Sequence, residues 1–243
     1  MAPGGPVEPA FAPRYTIASD CAPQRRENTL FVDQNQLIFA GVMYACLLFS
    51  LSVHEAAHAW TAERCGDPTA RHLGRVTLNP LVHMDFIGTL VLPLFMLMSG
   101  SGFLFGWAKP VPFNPINLNN MRADPVKIAV AGPASNLLIA VTALFGTKAF
   151  LMASPESAPL ILPLMLPLII INLILMVFNM IPVPPLDGHY ILRMFLSEKG
   201  KAVLDNAGIF GILIAILILN FVLIGPIGAG IQALVDFLVP ADS

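Results

Sequence analysis

The chain has 243 residues, of which 56% are hydrophobic and only 12% charged, with a mean hydropathy of +0.74. Soluble domains average about 45–50% and 25% respectively, so the composition is that of an all-α polytopic membrane protein. A net charge of −2 without a basic cluster argues against nucleic acid as a partner. Cys21, Cys46 and Cys65 lie far apart with no C-x-x-C spacing, which indicates neither a disulfide framework nor a cysteine zinc site.

Residues 1–35 carry Pro3, Pro6, Pro9, Pro13 and Pro23 among charges, lack hydrophobic periodicity, and are expected to form a flexible tail. No short basic region leads into an apolar core at the start, so the first span is expected to serve as an uncleaved targeting signal. A single membrane-embedded domain is expected over 36–243. Its first span is continuously apolar from Leu37 to about Val53, and helical sequence runs on to Cys65, where Gly66-Asp67-Pro68 stops it.

On the last turns of that helix lies His54-Glu55-Ala56-Ala57-His58. Histidines four apart project from one helix face, so both imidazoles can bind one zinc ion while Glu55 reaches its water. The bland reading, two solvated histidines on a surface helix, fits poorly with their place at the end of an apolar run.

The next apolar stretch, Gly88 to Phe105, contains Pro93 and is broken by Ser99-Gly100-Ser101-Gly102. Its helical part covers about half a bilayer, which favours a re-entrant element that enters and leaves on one side. A second span is expected over Lys127–Thr147, introduced by Asp124-Pro125 as cap and first-turn proline. A third covers about Leu160–Ile181 and a fourth about Ile209–Ile224, each near the roughly 20 residues a crossing needs. Beyond Gly225-Pro226, Ile231, Leu234, Val235 and Leu238 share one face, as in a short helix lying at the interface.

Two histidines leave a tetrahedral zinc needing one more protein ligand and one open position. Asp187, in Asn179-Met180-Ile181-Pro182-Val183-Pro184-Pro185-Leu186-Asp187-Gly188, is the best-placed candidate, at the far end of the third span. His54, His58 and Asp187 each sit at the C-terminal end of their helix, so the two helices must run the same way to meet. That holds if Gly88–Phe105 is re-entrant and fails if it spans. With that topology Arg64, Arg71, Arg75, Lys109, Arg122, Lys127, Arg193, Lys199 and Lys201 share one side, opposite Arg14, Arg25, Arg26 and Lys148, which puts the catalytic ends toward the cytoplasm. The spanning alternative gives the same numerical split, so ligand geometry carries the choice.

These residues resemble the site-2 proteases, a family of intramembrane zinc metalloproteases. His54 through His58 matches the family's zinc helix, Gly132-Pro133-Ala134-Ser135-Asn136 looks like its middle-helix motif, and Asn179 through Gly188 looks like its Asn-Pro-Asp-Gly region. The likeness covers about 37–204 in the expected order. It implies a three-helix catalytic core, one Zn2+ per chain held by His54, His58 and Asp187, and Glu55 as catalytic base. It also suggests that Asn179, Pro182 and Pro184 help to hold substrate. The Gly106–Pro115 stretch is similar to one seen in small bacterial and archaeal members, which lack a PDZ or CBS domain.

The resemblance implies proteolysis of single-span membrane proteins within or near their spans, in a prokaryotic inner membrane. Asn136 is a candidate to pair freed backbone near the site or to stabilise the oxyanion, with helix packing as the alternative. His189 adjoins the Asp187 turn and is expected to be a polar interfacial residue, while His72 and His83 are expected to stay in loops. A metal transporter would need ionisable residues at midplane on several spans, often in repeated halves, and no repeat is visible. A non-proteolytic zinc scaffold would have no need of Glu55.

Overall fold

The computed structural model describes residues 34–99, 106–206, 211, 217 and 224–239. The expected tail falls outside this range apart from its last two residues, which already belong to the first helix. All regular structure among the described residues is helical. Helix α1 (Gln34–Arg64) ends where Gly66 takes a φ of +103°, and its last turn closes with Gly66 N donating to Glu63 O and Asp67 N to Ala62 O, both at 3.0 Å.

Two one-turn helices follow, α2 (Thr69–His72) and α3 (Pro80–His83), then a wide π-type turn at Phe86–Val91 that runs into α4 (Leu92–Met98). Asp85 caps this element by accepting from Ile87 N (3.1 Å) and Gly88 N (2.7 Å). The chain then comes back to where it entered. Trp107 N donates to Gly88 O at 3.1 Å and Lys109 N to His83 O at 2.8 Å. Thr89 Oγ1 donates to Trp107 O at 2.7 Å, and Tyr44 of α1 donates to Thr89 O at 2.9 Å. Entry and exit are thus hydrogen-bonded to each other, the geometry expected of a re-entrant element. Gly88 is required there, because a Cβ would run into the Trp107 indole.

Helix α5 (Asp124–Ala153) and helix α6 (Ala158–Asn179) form an antiparallel pair across the short turn at Pro155–Ser157. The expected cap is shifted by a few residues. Asn120 Oδ1 accepts from Arg122 N and Ala123 N, both at 3.0 Å, while Asp124 is already helical and accepts from Asn120 N (2.7 Å) and Lys127 Nζ (2.7 Å). The three helices α1, α5 and α6 pack pairwise, and each is long and apolar enough to cross a membrane. Small residues line their contacts: Ala59, Ala62, Ala129 and Ala140 are buried, whereas Leu138, Phe145 and Leu160 are exposed. Small residues inside and large apolar residues outside are what a bundle in lipid requires. The chain is an integral membrane protein, with the bilayer as its surroundings.

Past α6 come α7 (Gly188–Phe195) and α8 (Glu198–Asp205). The expected fourth span, 209–224, lies outside the described residues except for isolated positions. The last helix, α9 (Ile224–Leu238), already includes residues before Ile231. Leu238 is buried, while Gln232 and Asp236 are exposed, and Phe237 meets Phe145 of α5 with ring centroids 6.2 Å apart.

Candidate metal centre

Because α1 is a regular helix through residues 54–58, the two histidines lie one above the other, with Nε2 of His54 3.0 Å from Nε2 of His58. Both rings are buried. Asp187 arrives from the other side. The eight residues between α6 and α7 fold into a tight turn pinned by buried Phe178, Ile181 and Leu186, with Leu186 N donating to Val183 O at 3.0 Å. Gly188 closes it, since a Cβ there would come within 2.6 Å of Ile181 O. The turn sets Asp187 Oδ2 3.1 Å from His54 Nε2 and 3.4 Å from His58 Nε2.

The hydrogen bonds show what belongs among these three atoms. His54 Nδ1 bonds Asn136 Oδ1 at 2.5 Å and His58 Nδ1 bonds the carbonyl of Ile128 at 2.7 Å. Both partners are acceptors, so each Nδ1 carries a proton, and a neutral ring held this way turns its Nε2 lone pair inward. Asp187 Oδ2 is buried and, although close to both rings, has no hydrogen bond. Three inward lone pairs repel one another unless a cation sits among them. Their spacing matches: a tetrahedral zinc with bonds of about 2.0–2.1 Å has ligand edges of about 3.3 Å. His54, His58 and Asp187 therefore fit a metal ion by donor type and by spacing.

Helix α5 covers the centre with its bare face. A Cβ on Gly132 would lie 2.6 Å from Nε2 of His54 and closer still to Nε2 of His58. The glycine of the middle-helix motif is therefore a matter of room beside the two imidazoles, which spacing alone does not reveal.

Glu55 is buried, and its Oε2 accepts from Val111 N at 3.0 Å. Val111 belongs to an irregular, proline-interrupted segment, 106–114, held at both ends. At one end are the Gly88 and His83 bonds. At the other, Asp67 Oδ2 accepts from Asn114 N at 2.6 Å, while Oδ1 accepts from Thr69 Oγ1 (2.6 Å) and Asn117 Nδ2 (2.8 Å). Burial pushes the Asp67 pKa up, but the hydrogen bonds from Thr69, Asn117 and Asn114 outweigh it and hold the carboxyl below its ordinary value. Sequence reasoning missed this clasp, because Asp67 reads first as part of a helix stop.

The remaining candidates fall in different places. Asn136 is fully buried, with its amide taken up by His54 and Asn172. Asn179 ends α6 and donates to Leu175 O of its own helix at 3.0 Å. Pro182 is exposed and Pro184, in a cis peptide with Pro185, is half-buried, both in the turn that delivers Asp187. His72 and His83, expected in loops, instead end the one-turn helices α2 and α3, and the buried His83 bonds the Thr77 carbonyl through Nε2 at 2.9 Å. His189 bonds the Leu186 carbonyl through Nδ1 at 2.6 Å.

A bundle of membrane helices carrying two histidines, a carboxylate and an adjacent glutamate defines a membrane-embedded zinc metalloprotease. The chain is 35% identical over 172 residues to YwhC of Bacillus subtilis, a candidate zinc metalloprotease, covering 69% of this chain and 75% of that one. It is 32% identical to the candidate zinc metalloprotease Rip2 of Mycolicibacterium smegmatis, over 71% of this chain and 64% of the relative. To Rip3 of Mycobacterium tuberculosis, described in the same words, it is 30% identical over 67% of this chain and 33% of the relative. The chain belongs to the site-2 protease family of zinc metalloproteases, and Zn2+ is its cofactor. No family model matches the chain, and no solved structure does. The transporter and scaffold readings find no support in this family.

Proposed function

We propose that the protein is an intramembrane endopeptidase, a single membrane-embedded domain over 36–243 that cuts single-span membrane proteins within or near their spans, as in regulated intramembrane proteolysis. His54, His58 and Asp187 hold the zinc and Glu55 is the base. The observation that carries this reading is the convergence of His54 Nε2, His58 Nε2 and Asp187 Oδ2 between apolar helices, with Glu55 beside them on α1. The catalytic ends face the cytoplasm of a prokaryotic inner membrane, on the charge distribution and the topology read above.

A zinc held by His54, His58 and Asp187 would supply a water acidified to a pKa near 7 and would polarise the scissile carbonyl. Glu55 takes the water proton and passes it to the leaving nitrogen. The Val111 N–H fixes which way the Glu55 carboxylate faces.

A helical substrate hides its peptide bonds, so it must become extended before attack, and its freed N–H groups then need acceptors. The segment 106–113 suits this. Trp107, Lys109 and Val111 turn their N–H groups to the protein, and Pro110 and Pro112 have none. Beside this segment an extended chain would find mainly carbonyl oxygens. Asn179, at the end of α6, and Pro182 and Pro184, on the Asp187 turn, would border the same chain.

The test is cleavage of a panel of tagged single-span proteins by purified protein in liposomes, wild type against Glu55→Gln. Cleavage within the span should fall by at least about 10²-fold in the variant, with one zinc still bound. Full activity in Glu55→Gln would refute the assignment of the base.

A further inference from the structure

We propose that Asn136, Asn172 and Ser50 are positioning residues, forming a one-way hydrogen-bond chain that fixes the proton of His54 on Nδ1 and aims its Nε2 at the metal. The inference rests on the reading of His54 as a zinc ligand.

The chain begins at two backbone carbonyls, which can only accept. Ser50 Oγ lies 2.7 Å from Cys46 O, so the hydroxyl donates there and keeps its lone pairs for another donor. Asn172 has one amide atom 2.8 Å from Leu168 O and 2.8 Å from Ser50 Oγ. Only the nitrogen can serve both. Oδ1 of Asn172 must then face Asn136, at 2.8 Å, and the facing atom of Asn136 must be nitrogen. That leaves Oδ1 of Asn136 toward His54, 2.5 Å from Nδ1, where it can only accept.

Amide orientation is ordinarily ambiguous, but here each choice is forced by its neighbour. All three side chains are essentially inaccessible, and they come from α1, α5 and α6. A substrate therefore cannot reach Asn136 without dismantling the chain. His58 needs no such device, because a backbone carbonyl, Ile128 O, sits directly on its Nδ1.

Metal ligands lose affinity when their outer hydrogen-bond partners are removed, typically 10–100-fold. The variants Asn172→Leu and Ser50→Ala should each weaken zinc binding about ten-fold in chelator competition. Each should also alter the visible spectrum of the Co2+-substituted protein. Ser50→Thr, which keeps the hydroxyl, should restore both. If affinity and spectrum stay unchanged while only thermal stability falls, the polar residues merely tie the helices together and the proposal fails. Should Asn172→Leu not fold, the Ser50→Ala and Ser50→Thr pair decides the matter alone. His54→Ala separates the two levels. Zinc lost there but unmoved in the Ser50 and Asn172 variants overturns the positioning chain only, whereas zinc retained in His54→Ala overturns the site reading itself.

Discussion

Gly132 and His58 approach so closely that no side chain fits between them: a Cβ on Gly132 would collide with His58 Nε2 and stand 2.6 Å from His54 Nε2. The middle helix is therefore bare where it passes the two histidines, and α1 and α5 owe their close packing to that bareness. The relationship separates helix stability from metal binding.

Gly132→Ala should raise the intrinsic helix preference of α5 by up to about 1 kcal/mol and at the same time displace both imidazoles. We expect zinc content to fall to a small fraction of one per chain in a protein that still elutes as a folded monodisperse species in detergent. Wild-type zinc content in this variant would contradict the geometry. Zinc analysis of the purified protein checks it.

His54→Ala, His58→Ala and Asp187→Ala should each abolish stoichiometric zinc and proteolysis together. Stripping wild type with a chelator should silence it, and added zinc should restore cleavage. Asp187→Asn is the informative intermediate. It keeps the shape of the turn, yet it replaces a charged donor by a neutral one, so zinc affinity should drop steeply while thermal unfolding without metal stays near wild type. Elemental analysis and unfolding curves on the same preparations distinguish a ligand from a turn residue.

Asp67 holds four donors: Thr69 N, Thr69 Oγ1, Asn117 Nδ2 and Asn114 N. Asp67→Ala strands these donors, and unsatisfied buried groups cost about 1–3 kcal/mol. The loosened 106–114 segment no longer holds the Val111 N–H on Glu55, so turnover should fall while zinc stays bound.

The same residue gives a pH dependence of definite sign. The folded Asp67 carboxyl titrates below its unfolded value, about 3.9. Its contribution is therefore complete above that value and lost as pH falls through the folded pKa. The difference in melting temperature between wild type and Asp67→Ala should be constant from pH 7 to 5 and shrink below about pH 4. A difference that grew on acidification would contradict the clasp.

The three long helices and most of the candidate centre could be read from the sequence. Long apolar runs can satisfy their backbone in lipid only as helices, so α1, α5 and α6 were legible to within a few residues at most ends. His54, Glu55 and His58 were legible because their spacing is local to one helix, where 3.6 residues per turn fix which side chains meet. Asp187 stood out as the lone carboxylate at the far end of the third span, and taking it as a ligand in turn constrained the direction of the helices.

What depends on three helices meeting came from their packing. Ser50 precedes His54 by one turn on the same stripe of α1, a signal that was present. Yet nothing local could say that Asn172, 122 residues away, would donate to it. Nor could spacing show that Asn136 turns to His54 instead of toward substrate, that Gly132 clears room for two imidazoles, or that Asp67 ties down the segment touching Glu55. Backbone periodicity acts over a few residues and can be read in order. Hydrogen-bond direction and contact distance between helices are set by packing, and they exist only once the chain has folded.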